Sequence, residues 1–310
     1  MVDIGNANQA IERVREFEAL TGTTGPVPPA TATTASRSGL GVVFWVSFGW
    51  VLFMVLLAIF ASVLPLKNPN FQDYSAVNIG PSIHHLLGTD DLGRDLLSRI
   101  IFGSRVSLII GFASVGLALV AGGVLGLLAG YTGGWIDTVL NAGSLVVLAF
   151  PALLAILVIE AFWVPRSLLK LTIIFAVAGT PSLFRVIRAT TLSFATREFV
   201  VAARTMGATT WRILFRELLP NVVPAAVSFA LIGVAVAIIL EGSLAFLGLS
   251  ISLPTASLGN IVNEGVQNNN LTLNAYIALW PSLYIFILLV ALNLMADRLR
   301  TRFDVRAGNL

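Results

Sequence analysis

Cysteine is absent from this 310-residue sequence, and charged side chains are scarce. Without cysteine, the chain cannot form a disulfide framework, a zinc–thiolate site or an iron–sulfur ligand set of its own. Asp, Glu, Lys and Arg make up 11% of the residues, whereas a soluble domain carries about 25% because it keeps a wet surface. Since 56% of the residues are hydrophobic, the chain is predicted to be an all-α integral membrane protein that faces lipid.

Nucleotide-binding and catalytic patterns are also missing from the sequence. No segment matches GxxxxGK[ST], the glycine-rich loop that cradles nucleotide phosphates. No catalytic triad and no carboxylate cluster suited to metal chemistry is visible, so we expect no enzymatic activity and no cofactor in this chain. The net charge of +3 could suggest nucleic acid. The basic residues lie beside apolar runs, however, so we expect membrane lipid as a partner and no nucleic acid.

Six apolar runs are candidate membrane spans, since a helix needs about 20 residues to cross the hydrocarbon core. The fourth run is the least apolar, because only residues 171–184 lack charge and they include Pro181. Lys170 and Arg185 at its ends can extend toward the two membrane interfaces. The sequence therefore predicts six transmembrane helices, over residues 39–66, 106–136, 138–159, 167–187, 218–240 and 275–296.

Two arginine clusters decide the predicted orientation. An even number of spans places both clusters and both termini on one side, which the positive-inside rule assigns to the cytoplasm. Residues 246–273 contain no Lys or Arg, as expected for the opposite side. The first apolar run begins near residue 40, so we expect no cleavable signal peptide. The clusters are Arg185, Arg188, Arg197, Arg204, Arg212 and Arg216, and Arg298, Arg300, Arg302 and Arg306.

Residues 1–38 are predicted to form a cytoplasmic tail and linker. Residues 21–38 are rich in Thr, Pro, Ala and Gly, a composition typical of disorder. Before them, apolar residues recur about every three positions among charged ones. This pattern fits a short amphipathic helix at a membrane surface or a partner, and it fits a solvated, frayed tail equally well. The recurring residues are Ile11, Val14, Phe17 and Leu20.

The arginine-rich segment 197–224, REFVVAARTMGATTWRILFRELLPNVVP, predicts a helix–turn–helix in the cytoplasm. Gly207 suits a left-handed helix end, where glycine carries little steric cost. Thr209 or Thr210 can cap a second helix. The prolines that mark the predicted entry into the fifth run are Pro220 and Pro224.

The same segment resembles the EAA loop of ABC importer permeases, in which two alanines, a glycine and a later Leu-Pro recur at fixed spacing. In that family the loop forms a coupling helix that docks into a cleft on the ATP-hydrolysing subunit. The sequence departs from the pattern at Val201, where Glu is usual, and at Glu217, where an apolar residue is usual. By this resemblance, the coupling residues in a loop of about 196–220 are Glu198, Ala202, Ala203, Arg204, Gly207, Arg212, Glu217, Leu219 and Pro220.

A second segment, HHLLGTDDLGRDLLSRIIFGSRVSL at residues 84–108, predicts a short helix outside the membrane. Thr89 or Asp90 can cap its start. The pairs Asp90–Arg94 and Asp95–Arg99 have the i,i+4 spacing of helical ion pairs. The segment resembles the sequence before span two in the C-type permease of dipeptide and oligopeptide importers. The family motif comprises Gly88, Thr89, Asp90, Gly93, Arg94 and Asp95.

Further segments resemble the same family in the same order, so the resemblance covers about residues 40–306. It implies a type I ABC importer permease fold with six transmembrane helices in a bacterial inner membrane. The segments are 130–137 (GYTGGWID), 148–151 (LAFP), 241–249 (EGSLAFLGL) and 293–306. The implied division is a tail at 1–38, a first span at 39–66, an extracytoplasmic loop at 67–105, a permease core at 106–300 and a cytoplasmic tail at 301–310.

The resemblance also implies partners. They are a second homologous permease, two ABC ATPase subunits that carry ATP and Mg, and an extracytoplasmic peptide-binding protein. The implied function is ATP-driven import of di- or oligopeptides. Nickel or glutathione import stays open, because permeases of these systems look alike. An ATP-independent transporter or channel would need intramembrane charges or broken helices at the midplane, and the central spans are nearly free of charge. A membrane scaffold or sensor would need a sizeable soluble domain.

Several residues near or within the spans allow two interpretations. His84 and His85 could bind metal, but two adjacent histidines alone make a poor site. Carboxylates at the outer ends of spans three and five could couple protons or could hold helices together; they are Glu160 and Glu241. Glycines at every fourth position of span two predict close packing against another helix, with a flexible gate as the alternative; they are Gly122, Gly126 and Gly130.

Overall fold

The computed structural model describes residues 40–164, 166–252, 254–267 and 270–308, and the amphipathic pattern predicted at residues 11–20 lies outside them. Within these ranges the chain is helical and forms no β-strand. The helices are α1 (Gly41–Phe60), α2 (Leu96–Thr132), α3 (Gly134–Ala149), α4 (Ala152–Phe162), α5 (Leu168–Ala195), α6 (Glu198–Thr205), α7 (Thr210–Phe246), α8 (Leu258–Val266), α9 (Asn270–Leu273) and α10 (Tyr276–Gly308).

Five helices of the described residues are long and apolar enough to cross a membrane, namely α1, α2, α5, α7 and α10. The pair α3–α4 meets the same criteria only when its two helices are taken together, and it is bent by 80°; counted as one span, it gives the sixth crossing. The third span predicted over residues 138–159 therefore consists of two helices that meet at a bend. Pro151 has no N–H to continue the hydrogen-bond ladder. It also favours an extended residue before it, and Phe150 is extended (φ −88°, ψ 134°).

The segment before α2 is a series of turns, so the helix predicted to start at Thr89 or Asp90 is wrong. The helix starts at Leu96, where Asp95 is the N-cap and accepts a hydrogen bond from the Ser98 N–H at 3.0 Å. Gly93 has φ +71°, which a helix does not allow, and a Cβ there would lie 1.9 Å from the Asp73 carbonyl oxygen. The chain before Leu96 therefore has to turn.

Helices α2 and α5 form the most extensive contact of the bundle. A Cβ at Gly126 would lie 2.9 Å from the Phe184 carbonyl oxygen and 3.0 Å from the Arg188 nitrogen. Similar contacts at Gly122 and Gly130 bring the α5 backbone against the same stripe. The packing interpretation of these glycines is confirmed, since each lets the backbone of another helix approach. Helices α1, α2, α7 and α10 bury a second apolar cluster beside this pair.

Four helices extend well beyond the apolar runs that predicted them: α2 from Leu96, α5 to Ala195, α7 from Thr210 and α10 to Gly308. Apolar length measures only the part of a helix that crosses lipid, so the polar ends were missed. The regular α-helical part of α7 begins at Leu219, so Pro220 lies in its first turn, as predicted for the entry into span five, and Pro224 lies inside it. A π-helical turn at Ile213–Leu218 directly precedes Leu219, and such wider turns accommodate irregularities within a helix.

Candidate coupling surface and ion-pair cluster

The predicted helix–turn–helix is present at the end of the bundle where α5 meets α6, here called the arginine-rich end. Helix α6 ends in a hydrogen-bonded turn, in which the Gly207 N–H donates to the Arg204 carbonyl and the Ala208 N–H to the Ala203 carbonyl, both at 3.0 Å. Gly207 has φ +78°, the left-handed conformation that this kind of helix end requires. Thr209 then caps α7, so the second helix is the beginning of the fifth span itself.

One face of this segment packs on the transmembrane helices. Val200 and Ala203 of α6 are 0% and 7% exposed, and Ile213, Leu214 and Leu218 at the start of α7 are buried as well. They join one apolar cluster with residues of α2 and α5. Because its apolar face is buried on three spans, α6 is positioned by the bundle. The alanine at position 203 is small because the contact there is close.

The opposite face of the segment, here called the coupling surface, is exposed. Glu198, Ala202, Arg204, Arg212 and Pro220 all reach it, whereas Glu217 and Leu219 are half-buried. Three large apolar side chains that the sequence analysis missed also lie on it. Trp211 and Phe215 stack with ring centroids 5.4 Å apart. The exposed fractions are 80% for Met206, 63% for Trp211 and 50% for Phe215.

Exposed aromatic and methionine side chains inside an arginine-rich loop are a signal that the sequence did contain. Such residues are enriched at protein–protein contacts and contribute most of their binding energy. The coupling surface therefore combines exposed apolar side chains with exposed arginines, which suits a partner that offers both an apolar cleft and acidic residues. The coupling role of the individual residues stays a prediction.

An ion-pair cluster lies at the opposite end of the bundle, where α2 begins. The Asp90 carboxylate accepts hydrogen bonds from Arg94 Nε at 2.7 Å and from Arg99 Nη1 at 2.5 Å. Glu264 of α8 accepts from both arginines, with Arg94 Nη2 at 2.8 Å. The Arg99 side chain is 0% exposed. Two carboxylates thus balance two guanidinium groups in a neutral set that is buried except at Glu264, whose side chain is 24% exposed.

Part of this cluster corrects the sequence analysis. The predicted Asp90–Arg94 pair forms, but across a turn and not along a helix. The predicted Asp95–Arg99 pair is replaced, because Arg99 binds Asp90 and Glu264 while Asp95 caps α2. Glu264 was missed because it lies 165 residues from Arg99, and no local pattern could have indicated it.

The other residues of the family motif hold residues 67–95 against the helices. The Thr89 hydroxyl donates to the Ala76 carbonyl at 2.5 Å, and the Tyr276 hydroxyl donates to the Thr89 carbonyl at 3.1 Å. Gly88 lies under the Tyr276 ring, where a Cβ would come within 2.6 Å. His85 contacts Asp95 at 3.0 Å and the Lys67 ammonium at 3.2 Å. These residues therefore act together as an anchor for the loop.

The two intramembrane carboxylates differ in their surroundings. Glu241 of α7 accepts hydrogen bonds from the hydroxyls of Ser107 and Ser250, both at 2.8 Å. It thereby links α2, α7 and the turn after α7, which supports the helix-packing interpretation. Glu160 of α4 is 0% exposed, and neither of its oxygens has a hydrogen-bond partner among the described residues.

Comparison with known proteins identifies the family. Residues 122–309 match the family described as "Binding-protein-dependent transport system inner membrane component". The glutathione transport system permease protein GsiD of Pectobacterium atrosepticum is 37% identical over 256 residues, which cover 82% of this chain and 84% of the relative. The dipeptide transport system permease protein DppC of Alkalihalophilus pseudofirmus is 35% identical over 250 residues, 81% of each chain.

A solved structure has the same fold. The inward-facing MetNI methionine ABC transporter aligns with a TM-score of 0.55 and 21% identity, over 67% of this chain and 97% of that chain. The family match covers more than half of the sequence, and relatives above 30% identity span about four-fifths of it. The chain therefore belongs to the inner membrane components of binding-protein-dependent transport systems, and it is a multi-pass permease subunit of an ABC importer.

Proposed function

We propose that this chain pairs with a second, similar permease to form the pathway of an importer for di- or oligopeptides. Two ATPase subunits bind at its arginine-rich end, which faces the cytoplasm together with both termini. An extracytoplasmic binding protein delivers the substrate at the end that carries the ion-pair cluster. ATP and Mg belong to the ATPase subunits, and this chain contributes no hydrolytic site.

The coupling surface is the observation that carries this proposal. Helix α6 is buried on one side against three spans and exposes Met206, Trp211 and Phe215 on the other. A rigid element of this kind transfers the motion of a docked partner to the spans, because its inner face leaves it no freedom to move alone. ATP binding and release then drive rigid-body alternation of the permease pair.

Short peptides are the substrate class that the relatives favour. The names of two of them specify dipeptide and glutathione transport, and glutathione is itself a modified tripeptide. A glutathione importer is the second candidate, supported by the relative with 37% identity. Both candidates require a ligand with a free carboxylate and an ammonium group.

Reconstituted uptake tests the proposal. The chain is co-expressed with a partner permease, the ATPases and the binding protein, and vesicle uptake of a labelled dipeptide and of labelled glutathione is measured with and without ATP. We expect ATP-dependent uptake of the dipeptide. Uptake that is equal without ATP contradicts the importer role, and uptake of glutathione alone selects the second candidate.

A tryptophan pair tests the docking face. Trp211→Ala removes a large apolar contact from the coupling surface, and we expect the affinity for the ATPase subunits to fall about ten-fold or more, as for a central interface residue. Trp45 of α1 has nearly the same exposure, 61% against 63%, so Trp45→Ala is the matched control. Equal affinity of the two variants for the ATPase would contradict docking at this surface.

A further inference from the structure

The turn between α2 and α3 is a very short connection at the arginine-rich end. Helix α2 ends at Thr132 and α3 begins at Gly134, so Gly133 is the sole residue between them. Both glycines have φ +62°, and no described atom would contact a Cβ at either position. Glycine adopts this conformation at low cost. No side chain packs against these two glycines, so contacts elsewhere contribute to the position of α3.

An ion pair supplies one such contact. Arg188 of α5 donates from Nε and Nη2 to the two carboxylate oxygens of Asp137, in the first turn of α3, with the Nη2 contact at 2.6 Å. A two-point contact of this kind restrains orientation as well as distance. Ser144 is the one buried residue of α3, so apolar packing restrains this helix little. The ion pair is a directed polar contact between this helix and α5.

A second contact brings the coupling surface to the same turn. The Arg204 guanidinium of α6 lies over the Tyr131 ring, 5.2 Å from the ring centroid. This is within the distance of a cation–π interaction. Tyr131 lies in the last turn of α2, two residues before Gly133. Tyr131 also borders the apolar cluster that buries α6. Helix α6 therefore touches the residue next to the turn directly.

The residues that make these two contacts are here called the α6–α3 joint: Tyr131, Asp137, Arg188 and Arg204. We propose that this joint passes the movement of α6 to the bent pair α3–α4, with its members acting as positioning residues. The inference rests on the coupling role of α6 proposed above. Because α3 and α4 meet at 80°, a small rotation of α3 about the glycine turn swings α4. A loosened joint lets the ATPases run while the bent pair stays in place.

Substrate transported per ATP hydrolysed, in the reconstituted transporter, tests the ion pair. Asp137→Asn and Arg188→Gln each remove one charge, and we expect this ratio to fall roughly five-fold while ATP hydrolysis continues, since partly exposed pairs contribute about 1 kcal/mol. The double variant Asp137→Arg with Arg188→Asp reverses the pair and is expected to restore at least half of the ratio. Arg185→Gln, on an exposed arginine of the same helix, is the control and should leave it unchanged.

The tyrosine provides a test that changes no charge. Tyr131→Phe keeps the aromatic face for Arg204, and Tyr131→Leu removes it. We expect the ratio of transport to hydrolysis to stay near the wild-type value with Phe. With Leu it should fall about two- to five-fold, in line with the strength of an exposed cation–π contact. A residue that only stabilised the fold would lower assembly, hydrolysis and uptake together and leave the ratio constant.

A label pair follows the movement itself. Because this chain contains no cysteine, spin labels can be placed at Val139→Cys of α3 and Leu294→Cys of α10, both exposed. We expect ATP binding to change the label distance in the wild type and not in Asp137→Asn. An unchanged transport ratio in Asp137→Asn, Arg188→Gln and Tyr131→Leu, or a full distance change in Asp137→Asn, overturns the joint. Loss of ATP-dependent uptake in the wild type overturns the proposed function instead.

Discussion

Substitution of Gly207 tests whether the backbone conformation of the turn after α6, and not a side-chain contact, is required for ATPase docking. Gly207 has φ +78°, and no atom of the described residues lies within 4 Å of where its Cβ would be. Within the permease itself, any effect of a side chain there is therefore conformational and not steric. An L-residue costs about 1–2 kcal/mol in left-handed backbone, and Asn costs less because its side chain bonds locally. Proline cannot adopt the turn, since its φ is held near −65°.

The expected order of ATPase affinity for the substituted permease follows from these costs. The wild-type permease should bind the ATPase most tightly, followed by the variants Gly207→Asn, Gly207→Ala and Gly207→Val. Gly207→Pro should bind far more weakly than all of these. A cost of 1–2 kcal/mol reduces the population of the turn by about 5- to 30-fold. That factor is an upper limit on the loss of affinity for Gly207→Ala. Gly207→Pro also removes the N–H that donates to the Arg204 carbonyl at 3.0 Å, so its loss should be larger than that of the other variants.

The measurement is a binding titration of purified ATPase against the solubilised permease pair. Gly248 offers a matched control, because it has φ +71° and equally open space at the other end of α7. Gly248→Ala carries the same local strain and should leave ATPase affinity unchanged. The reasoning fails if Gly248→Ala weakens docking as much as Gly207→Ala. It also fails if Gly207→Pro docks as well as Gly207→Asn.

Three further predictions concern stability, measured as thermal unfolding of the purified permease. Gly126→Ala places a Cβ 2.9 Å from backbone of the neighbouring helix and should cost about 1–3 kcal/mol; Gly116→Ala, where the space is open, should cost nothing. Asp90→Asn leaves the fully buried Arg99 with less compensation and should cost about 3–5 kcal/mol. Glu241→Leu strands two buried hydroxyls and should cost about 1–3 kcal/mol more than Glu241→Gln.

The spans were largely predictable, because crossing lipid imposes a length of apolar sequence that can be read residue by residue. The bend of the third span was not predicted, although the sequence places Pro151 within that span. A proline inside an apolar run can also be absorbed within a helix, as Pro181 and Pro224 are here. Which outcome occurs depends on whether neighbouring helices support the broken backbone, and this is a property of the packed bundle.

The candidate sites show the same division. The turn at Gly207 was predicted, because the need for positive φ at a helix end is local. The turns before α2 were predicted to be part of the helix, because the i,i+4 spacing of Asp90 and Arg94 fits a helix and a turn alike. The burial of Arg99 was not visible either, since its partner Glu264 lies on a distant helix. Spacing alone could not distinguish these arrangements.

The sequence by itself determined that this chain is a helical membrane protein of the ABC permease type, because apolar length, arginine placement and loop motifs are properties of short segments. Only the tertiary structure decided how those segments meet. It joined Arg99 to Glu264, Arg188 to Asp137 and Arg204 to Tyr131. Such pairs arise from close packing of helices that are distant in sequence, where a few ångströms decide which charges meet. The coupling surface was therefore predicted from its motif. The α6–α3 joint was not, because its contacts join helices that are distant in sequence.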